Sequence, residues 1–414
     1  MQLQEIVVKI RVWGLAGIVN FFRRKYEFFV QSRRLERLVA KSESKIPIRG
    51  ITVIGDLTAR VSLSKTLRDF ILDLKEAGIP CQAYDTRLRS EIPAEDSSSV
   101  LTPISDFDVC RYSHVVMMYR SPLPKAAVPN LVCARIAFHE SEHGIHETAP
   151  YLRESGDAII AMSDFNFDYY KKAFEGQPVY KITYPFRFKN KKSTPRDALR
   201  KKYGINPDDF VVFFNFDFGS YYRKNIPAAI RAFAIAFKRD PKAKLLFKTK
   251  GAKENPRQAA EMMQMVVKMG VEKQFVHIAD YLPRADVDGL TSACDVYMSL
   301  HKAEGFGIGM AEAMSQGKPV VATNWSANTE FCRPDTAWCV PYKMVPILPH
   351  EYPPAMIEWA DADVSAAAEM LREIRSNPEA ARARAESGVR FMNEHFSLER
   401  FKADVERFLE RNNA

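Results

Sequence analysis

Residues 296–319 read VYMSLHKAEGFGIGMAEAMSQGKP, and this stretch decides how the second half of the chain is interpreted. Residues 296–300 have the apolar composition of a short buried strand, and a glycine-rich turn follows them. Residues 309–315 then predict a short helix, and residues 319–323 predict another strand. Glycines in such a turn let backbone amides approach a ligand, and the helix N-terminus that follows suits a phosphate.

Two glutamates belong to this stretch, with seven residues between them. Glu304 is expected in the turn, facing a cleft, and Glu312 is expected on the helix about two turns further on. Ionised carboxylates make strong hydrogen bonds to vicinal hydroxyls, which both a sugar and a ribose offer. The alternative is an ordinary α/β turn with surface glutamates, and the Gly-Lys-Pro-Val-Val that follows at 317–321 makes it the weaker one.

The alternation of strands and helices extends to both sides of this stretch. Further strands are predicted at residues 50–55, 79–84, 114–119, 131–138, 158–162, 179–184, 210–216, 244–248 and 275–277. Helices are predicted at 67–77, after the capping residue Ser163, and at 226–238, 256–269 and 285–293. This pattern predicts two α/β domains in series, whose ligands lie at the carboxyl ends of parallel strands.

The chain of 414 residues is long enough for two domains and two cores. We predict a basic amphipathic segment at 1–45, an N-terminal Rossmann-like domain at 46–190 and a C-terminal Rossmann-like domain at 191–390. Residues 42–49 are expected to be a linker, and a polar, basic connector ending near Pro195 is expected to join the two domains. The last segment, 391–414, is expected to be a helix that packs back on the first domain.

The net charge of +9 permits a nucleic acid, an anionic membrane or a polyanionic small molecule as partner. The basic residues do not form a recognised nucleic-acid-binding motif, so no nucleic acid is expected. None of the six cysteines forms a Cys-x-x-Cys pair, which favours buried, reduced thiols and a cytoplasmic location over disulfides such as one between Cys332 and Cys339.

The N-terminal segment leaves two interpretations open. Its apolar run at residues 12–22 is interrupted by Asn20 and is too short to span a bilayer. Aromatic and cationic side chains alternate over residues 4–40, which suits a helix lying on the inner face of an anionic membrane. The equal alternative is a helix that packs against its own protein and exposes a charged face to solvent.

The sequence around the two glutamates is similar to the retaining glycosyltransferases of the glycogen-synthase-like family four, among the group 1 glycosyltransferases. The resemblance rests on Glu-Gly-Phe-Gly at 304–307 and Glu-Ala-Met-x-x-Gly-x-Pro-Val at 312–320, with weaker matches at 294–296, 299–301, 323–326 and 328–331. It implies the GT-B fold: two facing Rossmann-like domains, a central cleft and a C-terminal crossover helix. It also implies retaining transfer of a hexose from a nucleoside-diphosphate sugar to an acceptor hydroxyl, without a metal.

The resemblance assigns a role to each matching residue. It implies that Glu304 contacts donor-sugar hydroxyls and that Glu312 holds the nucleotide ribose. Arg223 and Lys224, in a turn between a strand and a helix, suit a diphosphate whose charge grows in the transition state. The other donor-binding residues implied are Gly305, Phe306, Gly307 and Ile308, with weaker support for Lys248 and Tyr281.

The first domain matches this pattern less well. No glycine follows Gly55 in residues 56–64, where the family has a glycine-rich loop, so the acceptor-side loop departs from the family. His and Glu residues cluster at 139–147; a metal site is conceivable, but loop polarity is the simpler explanation. We expect neither a metal nor a cofactor beyond the donor, and we expect His139 to contact the sugar or acceptor.

A cytoplasmic enzyme of this kind is expected to act in envelope, exopolysaccharide or lipid-linked glycan synthesis. Two alternatives remain open from the sequence. One is a sugar-nucleotide epimerase or a phosphorylase on the same architecture. The other is a sugar-nucleotide-binding or membrane-associated scaffold without activity, which the altered loop at 56–64 favours.

Overall fold

The structure is a computed structural model. It describes residues 26, 28–42, 47–58, 62–86, 99–103, 105–118, 128, 130–137, 156–186, 193–279, 281–348 and 358–410. Residues 28–40 are helical (α1). The first domain then contains β1 (Ile48–Gly55), α2 (Ser62–Glu76), β2 (Cys81–Asp85), β3 (Tyr112–Met118), β4 (Val132–Ile136), β5 (Ala158–Ala161), α3 (Asp164–Ala173) and β6 (Val179–Lys181).

The second domain repeats the alternation. Its first half contains α4 (Arg196–Lys202), β7 (Phe210–Asp217), α5 (Ile226–Phe237), β8 (Ala243–Lys250), α6 (Pro256–Met269), β9 (Phe275–Ile278) and α7 (Arg284–Ala293). Its second half contains β10 (Val296–Ser299), α8 (Ile308–Ser315), β11 (Val320–Thr323), β12 (Trp338–Val340), β13 (Tyr342–Pro346) and β14 (Glu358–Ala362). Three helices complete the described chain: α9 (Val364–Ser376), α10 (Pro378–His395) and α11 (Leu398–Leu409).

Each domain is built on a six-stranded parallel sheet. The strand orders are β2-β1-β3-β4-β5-β6 and β12-β11-β10-β7-β8-β9, and β13 and β14 form a separate antiparallel hairpin. Strands β4, β10 and β11 are buried at every position, as expected for parallel strands covered by helices on both faces. The second sheet reverses its direction of winding between β7 and β10, and ligands bind at the carboxyl ends of strands at such a switch point.

The last helix joins the two domains. The ring of Phe401 on α11 lies 5.5 Å from that of Phe70 on α2, edge to face. Asp404 accepts hydrogen bonds from the backbone N–H of Thr183, at 2.9 Å, and from its hydroxyl, at 2.7 Å. The helix begins at Leu398 rather than at residue 391, because residues 391–395 belong to α10 and the Ser397 side chain caps α11.

Several local features differ from the sequence predictions, among them strand β12, which was not predicted. Strand β1 begins at Ile48, so the end of the expected linker belongs to the sheet. Helix α4 follows the connector directly, and its buried Arg200 forms an ion pair with Asp295 at 2.8 Å. The β13–β14 hairpin was not predicted; its Ala360 N–H donates to the carbonyl of Lys302, at 3.0 Å. Helix α4 and this hairpin both depend on contacts with distant parts of the chain.

Helix α1 has one buried face and one exposed end. Leu35 is 1% exposed and lies in the same apolar cluster as Ile54 and Val109. Tyr26, Phe28 and Phe29, in contrast, are 68%, 39% and 56% exposed. Within the described ranges, no helix has the length and apolar character needed to cross a membrane.

The six cysteines all lie within the described residues and are free thiols. The thiol of Cys339 lies 3.3 Å from the carbonyl oxygen of Cys332, to which it donates, and the two sulfurs are not bonded. Burial raises the pKa of the Cys339 thiol to about 11. The prediction of reduced thiols agrees with this arrangement.

Candidate active site

The candidate site lies where the loops after β7 and β10 meet, at the switch point of the second sheet. The backbone N–H of Lys302 donates to the carbonyl of Arg223, at 2.7 Å. The guanidinium of Arg223 in turn donates to the carbonyl of Ala303, at 2.9 Å. These bonds bring the predicted cations of one loop beside the predicted glutamate of the other.

Glu304 lies between two cations. Its carboxylate forms an ion pair with Lys224, and a guanidinium nitrogen of Arg223 lies 3.5 Å from its second oxygen. Burial alone would raise the pKa of Glu304, but Lys224 and Arg223 lower it to about 2. The site therefore holds an ionised carboxylate and two cations, all largely buried.

Ser326 fixes the backbone of Glu304. The N–H of Glu304 donates to the Ser326 hydroxyl, at 3.0 Å. Ser326 has φ 70 and ψ −158, a backbone conformation that is costly for any residue other than glycine. Asn328, whose side-chain oxygen lies 2.9 Å from His301 Nε2, helps to hold this segment. Backbone strain is thus located directly beside Glu304.

Two glycines permit close packing at the turn. Gly307 has φ 96, and a Cβ atom there would lie 2.5 Å from the Met310 side chain. A Cβ atom on Gly309 would lie 2.2 Å from the hydroxyl of Tyr297. That hydroxyl donates to the Asn215 side chain on β7, at 2.6 Å. Both positions therefore require glycine for α8 to begin where it does.

Phe306 points its ring into the protein. The ring is 4% exposed and stacks on Phe186, with centroids 5.4 Å apart and planes 15° apart. Phe331 and Phe396 pack against it at 5.6 and 5.9 Å. The side chain anchors the turn to the segment that joins the domains, which leaves only backbone groups of Phe306 for a ligand.

Glu312 lies on α8 in a second ion cluster. Its carboxylate is 2.6 Å from Arg284 on α7 and 3.3 Å from Lys65 on α2 of the first domain. Burial alone would raise the pKa of Glu312, but Arg284 and Lys65 lower it. Arg284 is also 2.6 Å from Asp288. These side chains and Tyr184 line a cavity of about 200 Å³ between the two domains.

The weaker predicted residues are less tightly placed. Lys248 on β8 is paired in register with Asn215 of β7, and burial, together with Lys250, lowers its pKa. Tyr281 is 48% exposed. His139 and the surrounding cluster at 139–147 lie outside the described residues, as do residues 59–61 of the first loop. Among the residues that the structure places, no group of three or more His, Cys, Asp or Glu side chains could hold a metal.

The sequence comparison decides the family of the second domain. Residues 195–344 match the family described as glycosyl transferases group 1. This domain belongs to the group 1 glycosyltransferases. The match includes Arg223, Lys224, Glu304 and Glu312, so all four lie inside the glycosyltransferase domain. No curated protein matches the sequence at a significant level.

Solved structures show the fold of the whole chain. HepE of Anabaena in complex with UDP is 15% identical, covers 87% of this chain and 99% of its own, and has a TM-score of 0.62. A glycosyltransferase from Rickettsia africae ESF-5 is 14% identical, with coverages of 87% and 98% and a TM-score of 0.63. Sucrose-phosphate synthase from Thermosynechococcus elongatus is 15% identical, with the same coverages and a TM-score of 0.64. The predicted GT-B fold is confirmed.

Several residues of the site were not singled out from the sequence. Arg284 and Lys65 hold Glu312, and Ser326 holds Glu304. Ser326 lies in one of the segments on which the family resemblance rests, but nothing local indicates its hydrogen bond. Lys65 belongs to the other domain, and an amphipathic helix has many such surface cations.

Proposed function

We propose that the protein is a retaining glycosyltransferase that moves a hexose from a nucleoside-diphosphate sugar to an acceptor hydroxyl. The observation that carries this proposal is the meeting of Arg223, Lys224 and Glu304 at the carboxyl edge of the second sheet. Two cations fit a diphosphate, and an ionised carboxylate fits sugar hydroxyls. The three groups thus provide complementary partners for the two halves of one donor.

The reaction would be a substitution on one face of the sugar. The bond between the anomeric carbon and the diphosphate oxygen breaks while the acceptor oxygen bonds to the same face. The acceptor proton passes to the leaving diphosphate, whose growing negative charge Arg223 and Lys224 stabilise. Glu304 orients the hexose through its hydroxyls, and Glu312, oriented by Arg284, is placed to accept hydrogen bonds from a ribose.

The first donors to test carry uridine. HepE of Anabaena has been solved with UDP and with UDP-glucose, and its chain has the same fold as this one. A thermal-shift screen against UDP-, GDP- and ADP-sugars is expected to select one base. At a donor concentration 100 times its Kd, the native state gains about 2.7 kcal/mol, which corresponds to a Tm rise of several degrees.

The products then separate the alternatives. Transfer of the hexose to an added acceptor, with the anomeric configuration retained, supports the proposal. An epimer or a sugar phosphate as product would instead favour the other enzymes on this architecture. Donor binding without turnover over a broad acceptor panel would favour a scaffold without activity. A screen in which no sugar nucleotide shifts the Tm would contradict the proposed donor.

We also propose that α1 rests on the inner face of an anionic membrane, where lipid-linked or envelope glycans would be the acceptors. The exposed rings of Phe28 and Phe29 lie on the same helix as the exposed cations Arg33 and Arg37, and the exposed ring of Tyr26 lies two residues before its first residue. Aromatic rings at the headgroup level combined with cations on anionic lipid are the usual elements of interfacial binding.

Flotation with lipid vesicles tests this surface. The protein is expected to float with vesicles that contain phosphatidylserine and not with purely zwitterionic ones. Replacing Phe28 and Phe29 by serine should reduce the floated fraction severalfold, whereas Val267→Ser, at a 58% exposed position on α6, should not. Equal flotation of all variants would show that α1 takes no part.

A further inference from the structure

The N-terminus of α3, in the first domain, contacts the glycine turn of the second. Asn166 donates from its side-chain amide to the carbonyl of Gly305, at 2.6 Å, and the Ser163 hydroxyl donates to the same oxygen, at 3.3 Å. Asn166 and Ser163 are fully buried. The peptide group between Gly305 and Phe306 is therefore held from across the domain boundary.

A second contact lies on the other side of the same turn. Glu330 forms an ion pair with Lys181 of β6 and accepts a hydrogen bond from the backbone N–H of Asp164, at 3.0 Å. Lys181 also lies 2.6 Å from the Asp164 carboxylate. Glu330 ends the short helix that begins directly after Ser326, the residue that accepts from the Glu304 N–H.

Both contacts converge on Glu304. One holds the carbonyl of Gly305, the next residue, and the other holds the segment to which the N–H of Glu304 is bonded. We define the interdomain clamp as the backbone carbonyl of Gly305 together with the side chains of Ser163, Asn166, Lys181 and Glu330. A buried amide donor that loses its acceptor costs free energy, so the clamp favours one relative placement of the two domains.

We propose that Asn166 is a positioning residue: docking of α3 on the carbonyl of Gly305 sets the turn that carries Glu304, so the donor-sugar site is completed only when the domains close. This inference rests on the proposed glycosyl transfer. A misplacement of about 1 Å between reacting groups can lower a rate by roughly 100-fold, and loop closure often completes a catalytic site. The first domain thereby contributes to the geometry of the donor-sugar site without contacting Arg223 or Lys224, the two cations proposed to bind the diphosphate.

Two variants of one residue test the clamp. Asn166→Asp keeps the shape and replaces the donating NH₂ by an oxygen that faces the Gly305 carbonyl, and Asn166→Ala removes the side chain. Both variants are expected to lower kcat at least tenfold. The Kd of UDP should stay within twofold, because Arg223 and Lys224, the cations proposed to bind the diphosphate, lie in the second domain. Asp168→Ala, at an exposed position of the same helix, is the matched control and should behave as wild type.

Small-angle scattering provides a readout that does not need turnover. With UDP-sugar bound, wild type should contract to a smaller radius of gyration than Asn166→Asp. If both variants keep the kcat and the contraction of wild type, Asn166 is not a positioning residue. A parallel loss of kcat, UDP affinity and Tm would also contradict the proposal, because it is the result expected of a purely structural residue. If wild type itself transfers no sugar, the proposed function fails, and scattering still decides whether Asn166 controls closure.

Discussion

Glu304→Gln is expected to lower the rate of hexose transfer by roughly 100- to 1,000-fold without unfolding the protein. Glutamine has the same shape but no charge, and it accepts weaker hydrogen bonds from sugar hydroxyls than an ionised carboxylate does. Lys224 and Arg223 keep Glu304 ionised, because they lower its pKa to about 2. The rate is measured with the donor that the thermal-shift screen selects, and circular dichroism verifies the fold.

The same variant separates sugar recognition from diphosphate binding. Without the Glu304 charge, Lys224 and Arg223 lose the carboxylate that competes with a phosphate for them, so UDP should bind at least as tightly as in wild type. Glu386→Gln, which alters an exposed carboxylate on α10, is the matched control. An unchanged transfer rate in Glu304→Gln would remove this residue from the site.

The pKa of Glu304 also fixes a pH window. Its value in the folded protein is below the ordinary 4.5, so the stability contributed by ionisation is complete above about pH 4.5 and is lost as the pH falls towards 2. A decline of the transfer rate between pH 7 and pH 5 must therefore come from other groups. Such a decline should have the same midpoint in wild type and in the residual activity of Glu304→Gln.

The parts of the fold that the sequence predicts are those with local causes. The turn after β10 needs glycine at 307 and 309 because of contacts within a few ångströms, and that need is visible as a motif. Buried parallel strands such as β10 and β11 appear as uninterrupted apolar runs. The order of the strands follows from the alternation of strands and helices and from the chirality of their connections.

The contacts between domains have no such local signature. Asn166 and Gly305 are 139 residues apart, and Lys65 is on a different domain from Glu312. Ser163 was predicted as a helix cap, and it does accept from the Asn166 N–H, but its bond to Gly305 depends on how the two sheets face each other. The sequence therefore identifies the motif that contains Glu304 and Glu312 and leaves the residues that orient these glutamates unassigned.

Lys224→Met is expected to lower the transfer rate by at least 100-fold, because it removes one of the two cations proposed to stabilise the leaving diphosphate. It also removes the closest partner of Glu304, so the pKa of that carboxyl should rise from about 2 towards its ordinary value. Lys224→Arg keeps the charge in a different geometry and should retain an intermediate rate. Lys238→Met, on an exposed lysine that follows α5, is the matched control.

Comparing UDP with UMP distinguishes a phosphate contact from a loss of structure. If Lys224 contacts the diphosphate, Lys224→Met weakens UDP binding about tenfold or more and weakens UMP binding much less, since UMP lacks the second phosphate. Calorimetry on both nucleotides measures this difference directly. A variant that loses UDP and UMP affinity in equal proportion would place Lys224 in the folding of the turn, because only a contact with the second phosphate can separate the two ligands.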